Sequence, residues 1–219
     1  MTTSRLPVPL VSVSWLAAHV QDPDLVLLDA TFHPVAVSVP AESAAVRLPV
    51  GYEQVSVLDG GLPAWVEAGL PCESGPPALA APGDFVAKPR PALFCGAEQV
   101  SAALGDPRAL VLDARSEGRF SGREPEPRPG LRAGHMPNAL NLPLSTVQHR
   151  GRMRTAEELA AVFATKVRGQ ELLVFSCGSG VTACVLALAA TLAGYSELRV
   201  YDGSWSEWGL PSSRPVVTG

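Results

Sequence analysis

The stretch that most constrains the fold is Glu171–Gly194, which reads ELLVFSCGSGVTACVLALAATLAG. Its first part, Leu172–Phe175, is a short apolar run of the length and branching typical of a buried parallel strand. A long apolar helix is then predicted, with Thr182 as its N-cap and Gly194 at its end. A strand, a tight loop and a helix place Cys177 at the carboxyl end of a strand, where open α/β sheets hold their functional sites.

The loop between that strand and that helix contains two glycines, Gly178 and Gly180. Glycines allow successive backbone N–H groups to point inward, which makes a concavity suited to negative charge, and the start of the helix adds its positive end. We therefore expect Cys177 to lie at the lip of this concavity, to ionise readily and to act as a nucleophile. The alternative is a buried structural cysteine, which would have no need of flanking glycines.

Composition narrows the class of protein. In 219 residues, 47% are hydrophobic and 17% charged, so we expect a globular protein with a sizeable core. A net charge of −4 gives no reason to expect nucleic acid, and no apolar run reaches the length of a membrane span. No C-x-x-C pair and no cluster with histidine occurs, so the sequence predicts no metal site, no cofactor and reduced thiols in a cytoplasmic protein. We expect Cys184, within the apolar helix, to lie in the core.

Strands that alternate with helices predict an α/β fold with a parallel sheet flanked by helices. Strands are predicted at Leu25–Ala30, Gln54–Gly60, Ala109–Ala114, Asn138–Leu142, Leu172–Phe175 and Leu198–Asp202, and helices at Leu62–Ala68, Gly96–Leu104 and Thr155–Lys166, with a polar loop over Arg115–Leu131. Residues 72–93, rich in proline, alanine and glycine, are predicted to be a linker between a first domain, 1–71, and a second, 94–219.

The two halves share an internal repeat of unequal length. LVLLDAT at Leu25 is echoed by LVLDARS at Leu110, and VSVLDGG at Val55 by LRVYDGS at Leu198. The first copy is about 59 residues shorter between these matching segments, so only the second half can build a complete site. We expect the first half to be a shortened, inactive copy, in which either Leu25–Ala30 and Gln54–Gly60 pair directly or the half is poorly ordered.

Four motifs in the second half occur in one order: LDARSEGRFSG at Leu112, EPRPGLRAGHMPNALNLP at Glu126, CGSGVTAC at Cys177 and YDGSWSEWG at Tyr201. With these motifs the chain resembles the rhodanese-family sulfurtransferases of the two-domain type, and is most similar to those that use 3-mercaptopyruvate. The resemblance implies a rhodanese-like catalytic domain with a truncated copy before it.

The resemblance also implies persulfide chemistry. A small anionic donor would pass a sulfane sulfur to Cys177, which would deliver it to an acceptor: a small thiol, a reduced thioredoxin-like protein or cyanide. Gly178 and Ser179 favour 3-mercaptopyruvate over thiosulfate, because thiosulfate-type members carry basic side chains after the cysteine. Ser179 would polarise the donor or relay a proton, and Gly178, Gly180, Val181 and Thr182 would surround the substrate.

Arg119 and Arg128 match arginine positions of the family's motifs, and the resemblance implies that their planar guanidinium groups bind the donor's carboxylate or sulfonate. Arg115 would instead make a structural ion pair behind the site. For His135 the sequence leaves open whether it moves a proton or only packs. Solvated surface positions are expected for the other arginines of this region: Arg123, Arg132, Arg150, Arg152 and Arg154.

Two other functions remain open. A cysteine-dependent phosphatase uses a similar strand, loop and helix, but it requires an arginine at the sixth position after the cysteine, which here is Ala183. The second alternative function is a sulfur carrier or a binding module without turnover, since the first half of the chain is shortened. The intact cysteine, loop and arginines disfavour this alternative.

Overall fold

The computed structural model describes residues 9–22, 25–27, 55–73 and 90–219. The chain divides into two compact units, Met1–Arg90 and Pro91–Gly219. The predicted domain bounds, with a linker over 72–93, stay a prediction.

The second unit is built on a five-stranded sheet. Its strands are β3 (Phe94–Cys95), β4 (Ala109–Asp113), β5 (Leu140–Asn141), β8 (Leu172–Ser176) and β9 (Leu198–Tyr201). They lie in the order β3-β9-β8-β4-β5, and every neighbouring pair is parallel. The longest strands, β4 and β8, are therefore central, and their carboxyl ends meet at one edge of the sheet.

Helices flank this sheet. They are α3 (Ala97–Ala103), α4 (Glu117–Ser121), α5 (Ala156–Ala164), α6 (Val181–Leu192) and α7 (Ser204–Trp208). Short 3-10 turns cover Pro91–Leu93 and Leu144–Thr146, and an antiparallel hairpin joins β6 (Gln148–His149) to β7 (Arg152–Met153). This arrangement confirms the predicted α/β class with a parallel sheet between helices.

The sheet is buried on both faces, because alternate residues of each strand enter two different clusters. Leu110 and Leu112 of β4 lie in one cluster with residues of α5 and α6, whereas Val111 lies in the other with residues of α3 and α7. In β8, Phe175 and Val174 divide in the same way. Continuous apolar runs, rather than an alternating pattern, are what a sheet covered on both faces requires.

The first unit has a smaller sheet among its described residues. β1 (Leu10–Val11) precedes α1 (Val13–His19) and pairs in parallel with β2 (Val57–Leu58), which precedes α2 (Gly61–Glu67). The second unit repeats this order, since β3 and β9 also pair in parallel and each precedes a helix.

The predicted pairing of Leu25–Ala30 with Gln54–Gly60 stays a prediction, but the described part of the first segment is not a strand. Val57–Leu58 pairs with Leu10–Val11, and Leu25–Leu27 forms no strand. Val26 is 77% exposed, so this apolar segment lacks the burial that a central strand needs. Residues 28–30 of the predicted strand lie outside the described residues.

The polar loop predicted over Arg115–Leu131 contains a helix that the sequence did not reveal. α4 begins after Ser116, whose hydroxyl accepts a hydrogen bond from the Arg119 N–H at 3.4 Å, and ends at Gly122, which has a φ of 81°. The helix is only five residues long and contains a glycine, so its hydrophobic period was too short to detect. It fixes the backbone of Arg119.

Candidate active site

The candidate site begins where β8 ends. Four residues, 177–180, join Ser176 to α6, and Gly180 is the N-cap of that helix with a φ of 84°. A β-carbon at Gly180 would lie 2.8 Å from the carbonyl oxygen of Asp202, so this position requires glycine for both conformation and space. The prediction that Thr182 is the N-cap is wrong, because the left-handed turn at Gly180 starts the helix two residues earlier than an extended cap at Thr182 would.

Cys177 is held by the segment that follows β9. Its N–H donates to the Ser204 hydroxyl at 3.0 Å, and its carbonyl accepts from the Trp205 N–H at 2.9 Å. The Ser204 hydroxyl in turn donates to the carbonyl of Tyr201 at 2.8 Å. Cys177 is only 1% exposed and belongs to the core cluster that contains Ala183 and Leu186.

The expectation that Cys177 lies at the lip of the loop is therefore wrong. Both of its backbone groups are bound to Ser204 and Trp205, which places the residue at the base of the loop.

The backbone beyond Cys177 carries unused hydrogen-bond donors. Within the described parts of the chain, the N–H groups of Gly178 through Ala183 donate to no acceptor, and the next one, of Cys184, donates to the Gly180 carbonyl at 3.3 Å. Six consecutive N–H groups at a loop and a helix start produce a region of positive potential. The arrangement suits a negatively charged sulfur or an oxyanion.

Arg119 reaches this loop from α4. Its guanidinium donates to both oxygens of Glu126, at 2.6 Å from Nη2 and 3.3 Å from Nε, and its side chain is 25% exposed. A β-carbon at Gly178 would lie 2.9 Å from Nη2 of Arg119. Gly178 thus leaves room for the Arg119 guanidinium, which a side chain at 178 would displace; its φ is not in the left-handed region.

Arg115 lies behind the loop, as predicted. Its buried guanidinium pairs with Asp113 at 2.8 Å, donates to Glu126 at 2.8 Å, and stacks 4.1 Å from the centre of the Trp205 ring. The side chains of Arg115 and Asp113 are both 0% exposed, and that of Glu126 is 2% exposed. A buried network of this kind is rigid because every charge has a partner.

Arg128 contacts the loop indirectly. It is exposed, and its Nη1 donates to the Ser206 hydroxyl at 2.5 Å. Ser206 donates its own hydroxyl and its backbone N–H to the Gly178 carbonyl, at 2.6 Å and 2.9 Å. Arg128 is therefore connected to the loop through one hydroxyl group.

The sequence did not single out three residues that shape this site, namely Glu126, Ser204 and Ser206. Glu126 lies in the EPR motif and the two serines lie in YDGSWSEWG, so the motifs pointed to the right segments.

Ser179 is half-buried, and its hydroxyl has no hydrogen-bond partner among the residues the structure describes. Val181 and Thr182 form the first turn of α6, next to the loop.

His135 has a packing role in the structure. Its Nδ1 lies 2.8 Å from the Phe120 carbonyl, its ring stacks on that of Phe120 at 3.8 Å, and its backbone bridges to Val217. These contacts fix the ring against the C-terminal segment and α4. They match the packing alternative that the sequence left open.

Three expectations about other residues need correction. Cys184 is exposed on α6 rather than in the core, because it lies on the side of the helix that faces away from the sheet. Arg132 is not simply solvated, since it donates to the carbonyls of Trp208, Gly209 and Arg214. Arg154 likewise donates to the Thr146 carbonyl at 2.9 Å.

Position 183, where a cysteine-dependent phosphatase needs arginine, is a fully buried alanine. In the part of the chain that the structure describes, no three His, Cys, Asp or Glu side chains group closely enough to hold a metal ion. Across the same residues, no helix is both long enough and apolar enough to cross a membrane.

A buried cysteine lies at the carboxyl edge of a parallel sheet, is followed by a run of unpaired main-chain N–H groups, and has a guanidinium against its loop. These features define a class of α/β proteins with a cysteine at the site. Within that class, residues 96–210 match the family described as the rhodanese-like domain. The chain belongs to the rhodanese family.

Curated relatives agree with this assignment. The chain is 42% identical over 160 residues to human 3-mercaptopyruvate sulfurtransferase, covering 72% of this chain and 54% of that protein. It is 40% identical over 167 residues to the 3-mercaptopyruvate sulfurtransferase of Escherichia coli, covering 76% and 59%. It is also 41% identical over 160 residues to chicken thiosulfate sulfurtransferase, covering 72% and 54%. The chain thus spans little more than half the length of these relatives.

Among solved structures, a variant of EanB in complex with ergothioneine aligns with a TM-score of 0.70 at 24% sequence identity. The alignment covers 78% of this chain and 42% of that one. At this level of identity the likeness shows the fold alone.

Proposed function

We propose that this protein is a sulfurtransferase that moves a sulfane sulfur from a small anionic donor through a persulfide on Cys177 to an acceptor. The run of unused N–H groups from Gly178 to Ala183, next to Cys177, is the observation that carries the proposal. Such a run stabilises a thiolate before transfer and a persulfide anion after it. The low exposure of Cys177 would protect the persulfide from water and oxidants.

In the first half-reaction the Cys177 thiolate attacks the sulfur of 3-mercaptopyruvate. The carbon–sulfur bond breaks, the electron pair and the thiol proton pass to the carbon, and pyruvate leaves. With thiosulfate the sulfur–sulfur bond breaks instead and sulfite leaves. In the second half-reaction an acceptor thiol or cyanide attacks the outer sulfur, and the thiolate is regenerated. Covalent transfer of this kind predicts ping-pong kinetics.

The residues next to the cysteine would divide the remaining roles. Arg119, whose guanidinium lies against Gly178, and Arg128 would bind the donor's anionic group. Ser179 would polarise the donor or relay the proton, consistent with its unengaged hydroxyl. The loop residues Gly178, Gly180, Val181 and Thr182 would enclose the donor.

We infer 3-mercaptopyruvate as the preferred donor and thiosulfate as the second. Gly178 and Ser179 stand where thiosulfate-type members have basic side chains, and an added β-carbon at 178 would lie 2.9 Å from Arg119 Nη2, so the guanidinium would have to shift. Relatives named for each donor are about equally similar to this chain, so the loop residues carry this choice. The proposed acceptors are small thiols, a reduced thioredoxin-like protein or cyanide, and the proposed location is the cytoplasm.

The test is to mix the protein with each donor and to measure the mass of the peptide that contains Cys177. We expect a gain of one sulfur atom, absent from Cys177→Ser, followed by turnover when a thiol acceptor is added. Arg119→Ala should raise the Michaelis constant for the donor; an unchanged constant would refute its assigned role.

A sulfur carrier without turnover is the second candidate, because Cys177 is buried and the chain spans about half of its relatives. A persulfide that forms but is not passed on would support the carrier. No persulfide with either donor would support a binding module and overturn the proposed function.

A further inference from the structure

The charges behind the loop cancel before any donor binds. Asp113 pairs with Arg115, and Glu126 pairs with Arg119 while also accepting from Arg115. Two carboxylates and two guanidinium groups sum to zero. Three of the four side chains are no more than 2% exposed, so solvent screens this network weakly.

Glu126 also determines how Arg119 faces the loop. It occupies the edge of the guanidinium formed by Nε and Nη2, at 3.3 Å and 2.6 Å. The edge formed by Nη1 and Nη2 makes no ion pair with the described residues, and Nη2 is the atom nearest to Gly178. The donor would therefore meet a guanidinium that is fixed in orientation and already neutralised.

Arg128 is the one arginine near the loop whose only partner among the described residues is neutral, the Ser206 hydroxyl. On the other side, the exposed Asp202 lies beside Gly180, with Oδ1 3.2 Å from the position of a β-carbon there. Arg128 thus provides the one arginine charge that no carboxylate pairs with among the described residues, and the Asp202 carboxylate offsets it, so the charged groups named at the loop give no net attraction for a second negative charge.

We propose that Glu126 sets the charge of the donor site and thereby favours donors with one negative charge over donors with two. The inference rests on the proposed function and deepens it. 3-Mercaptopyruvate with its thiol protonated carries one negative charge, whereas thiosulfate carries two. Without Glu126 the same loop would hold one more positive charge and would select less strongly against the dianion.

Glu126→Gln is the direct test, because it removes the charge and nearly keeps the volume. At low ionic strength, kcat/KM for thiosulfate divided by that for 3-mercaptopyruvate should rise about tenfold, since one added charge acts more strongly on a dianion. Added salt should reduce the difference. A ratio unchanged within twofold would overturn the inference.

Two further variants separate charge from damage. Glu126→Asp keeps the charge but shortens the side chain, so it should leave the donor ratio near that of the wild type even if both rates fall. Glu117→Gln removes an exposed carboxylate of α4 that pairs with Arg123, and it should change neither rate nor ratio. Equal ratios in Glu126→Gln and Glu126→Asp would show that Glu126 acts only in packing.

Binding to Cys177→Ser, which cannot accept sulfur, provides a test that needs no turnover. Titration calorimetry at low ionic strength should show thiosulfate binding no more than about threefold tighter than pyruvate. Thiosulfate binding ten times tighter or more would refute the inference. Failure of the wild type to take sulfur from either donor would refute the proposed function alone. The same titration with Glu126→Gln added to Cys177→Ser, in which thiosulfate should gain about tenfold over pyruvate, would still decide the role of Glu126.

Discussion

Replacing Gly180 by alanine should separate the cost of backbone strain from the cost of crowding at the loop. Gly180 has a φ of 84°, and an added β-carbon would lie 2.8 Å from the Asp202 carbonyl oxygen. An ordinary contact begins near 3.4 Å, so this backbone, which also precedes Ser204, would have to move by about 0.6 Å. Because Ser204 holds Cys177, the movement would reach the cysteine.

Gly169 offers a matched control. Its φ is 95°, and nothing lies within 4 Å of its would-be β-carbon. Gly169→Ala should therefore lower the free energy of unfolding by about 1–2 kcal/mol, which is the cost of a left-handed alanine. Gly180→Ala should add about 1–3 kcal/mol of overpacking, for a total of about 2–5 kcal/mol.

Urea unfolding followed by tryptophan fluorescence would measure both variants, because Trp205 and Trp208 are fully buried in the second unit. In thermal unfolding each kcal/mol should lower Tm by about 2–4 °C. Persulfide formation should fall in Gly180→Ala and stay at the wild-type level in Gly169→Ala. Equal losses of stability in the two variants would refute the reasoning, since they would show that the approach of Asp202 costs nothing.

Three buried residues, Ser176, Ser204 and Cys95, give the other predictions. Ser176→Ala should leave the free energy of unfolding unchanged or raise it by about 1 kcal/mol in urea titrations, because the Ser176 hydroxyl is buried without a hydrogen-bond partner; a loss above 1 kcal/mol would contradict this. Ser204→Ala should lower the free energy of unfolding by about 1–3 kcal/mol and slow persulfide formation, because the Cys177 N–H loses its acceptor. Ser204→Gly suits the φ of 47° but has no hydroxyl, so it should not restore the rate. A normal rate in either variant would count against the role of Ser204. Burial raises the pKa of Cys95 to about 11, so its alkylation at pH 8 should be roughly a hundredfold slower than that of a solvated thiol with a pKa of 9.0. Mass spectrometry would measure the rate, with the exposed Cys72 as an internal comparison. Similar rates at the two cysteines would show that Cys95 is accessible. Since the folded-state pKa is the higher one, the contribution of Cys95 to stability should be intact below pH 9 and fall as the pH rises from 9 toward 11, as a difference between wild type and Cys95→Ala.

The parts of the fold that depend on local sequence were predictable. The strand, loop and helix around Cys177 follow from an apolar run, two glycines and a long apolar segment, and the structure has all three, with the helix ending before Gly194. The cap was misplaced, because a serine or threonine is the usual signal and the left-handed glycine at 180 has no side chain to provide it. Two-residue strands such as β1 and β3 were missed, since they are too short to show a period.

The site itself was only partly predictable. The motifs named Arg119 and the loop, and the structure brings Arg119 against Gly178. The burial of Cys177 and the roles of Ser204 and Glu126 depend on which strands are neighbours and on where a polar segment returns to the loop. Those contacts join residues far apart in sequence, and no local pattern specifies them.

Position 204 combines two demands that few amino acids meet together. The backbone there is left-handed, with a φ of 47°, which asparagine or glycine would tolerate best. The site is 0% exposed and needs a hydroxyl one carbon from the backbone, which only a small alcohol provides. Libraries built to change donor preference should therefore keep serine at 204 and vary Ser179, where the hydroxyl is uncommitted; diversity at 204 would mostly yield inactive clones.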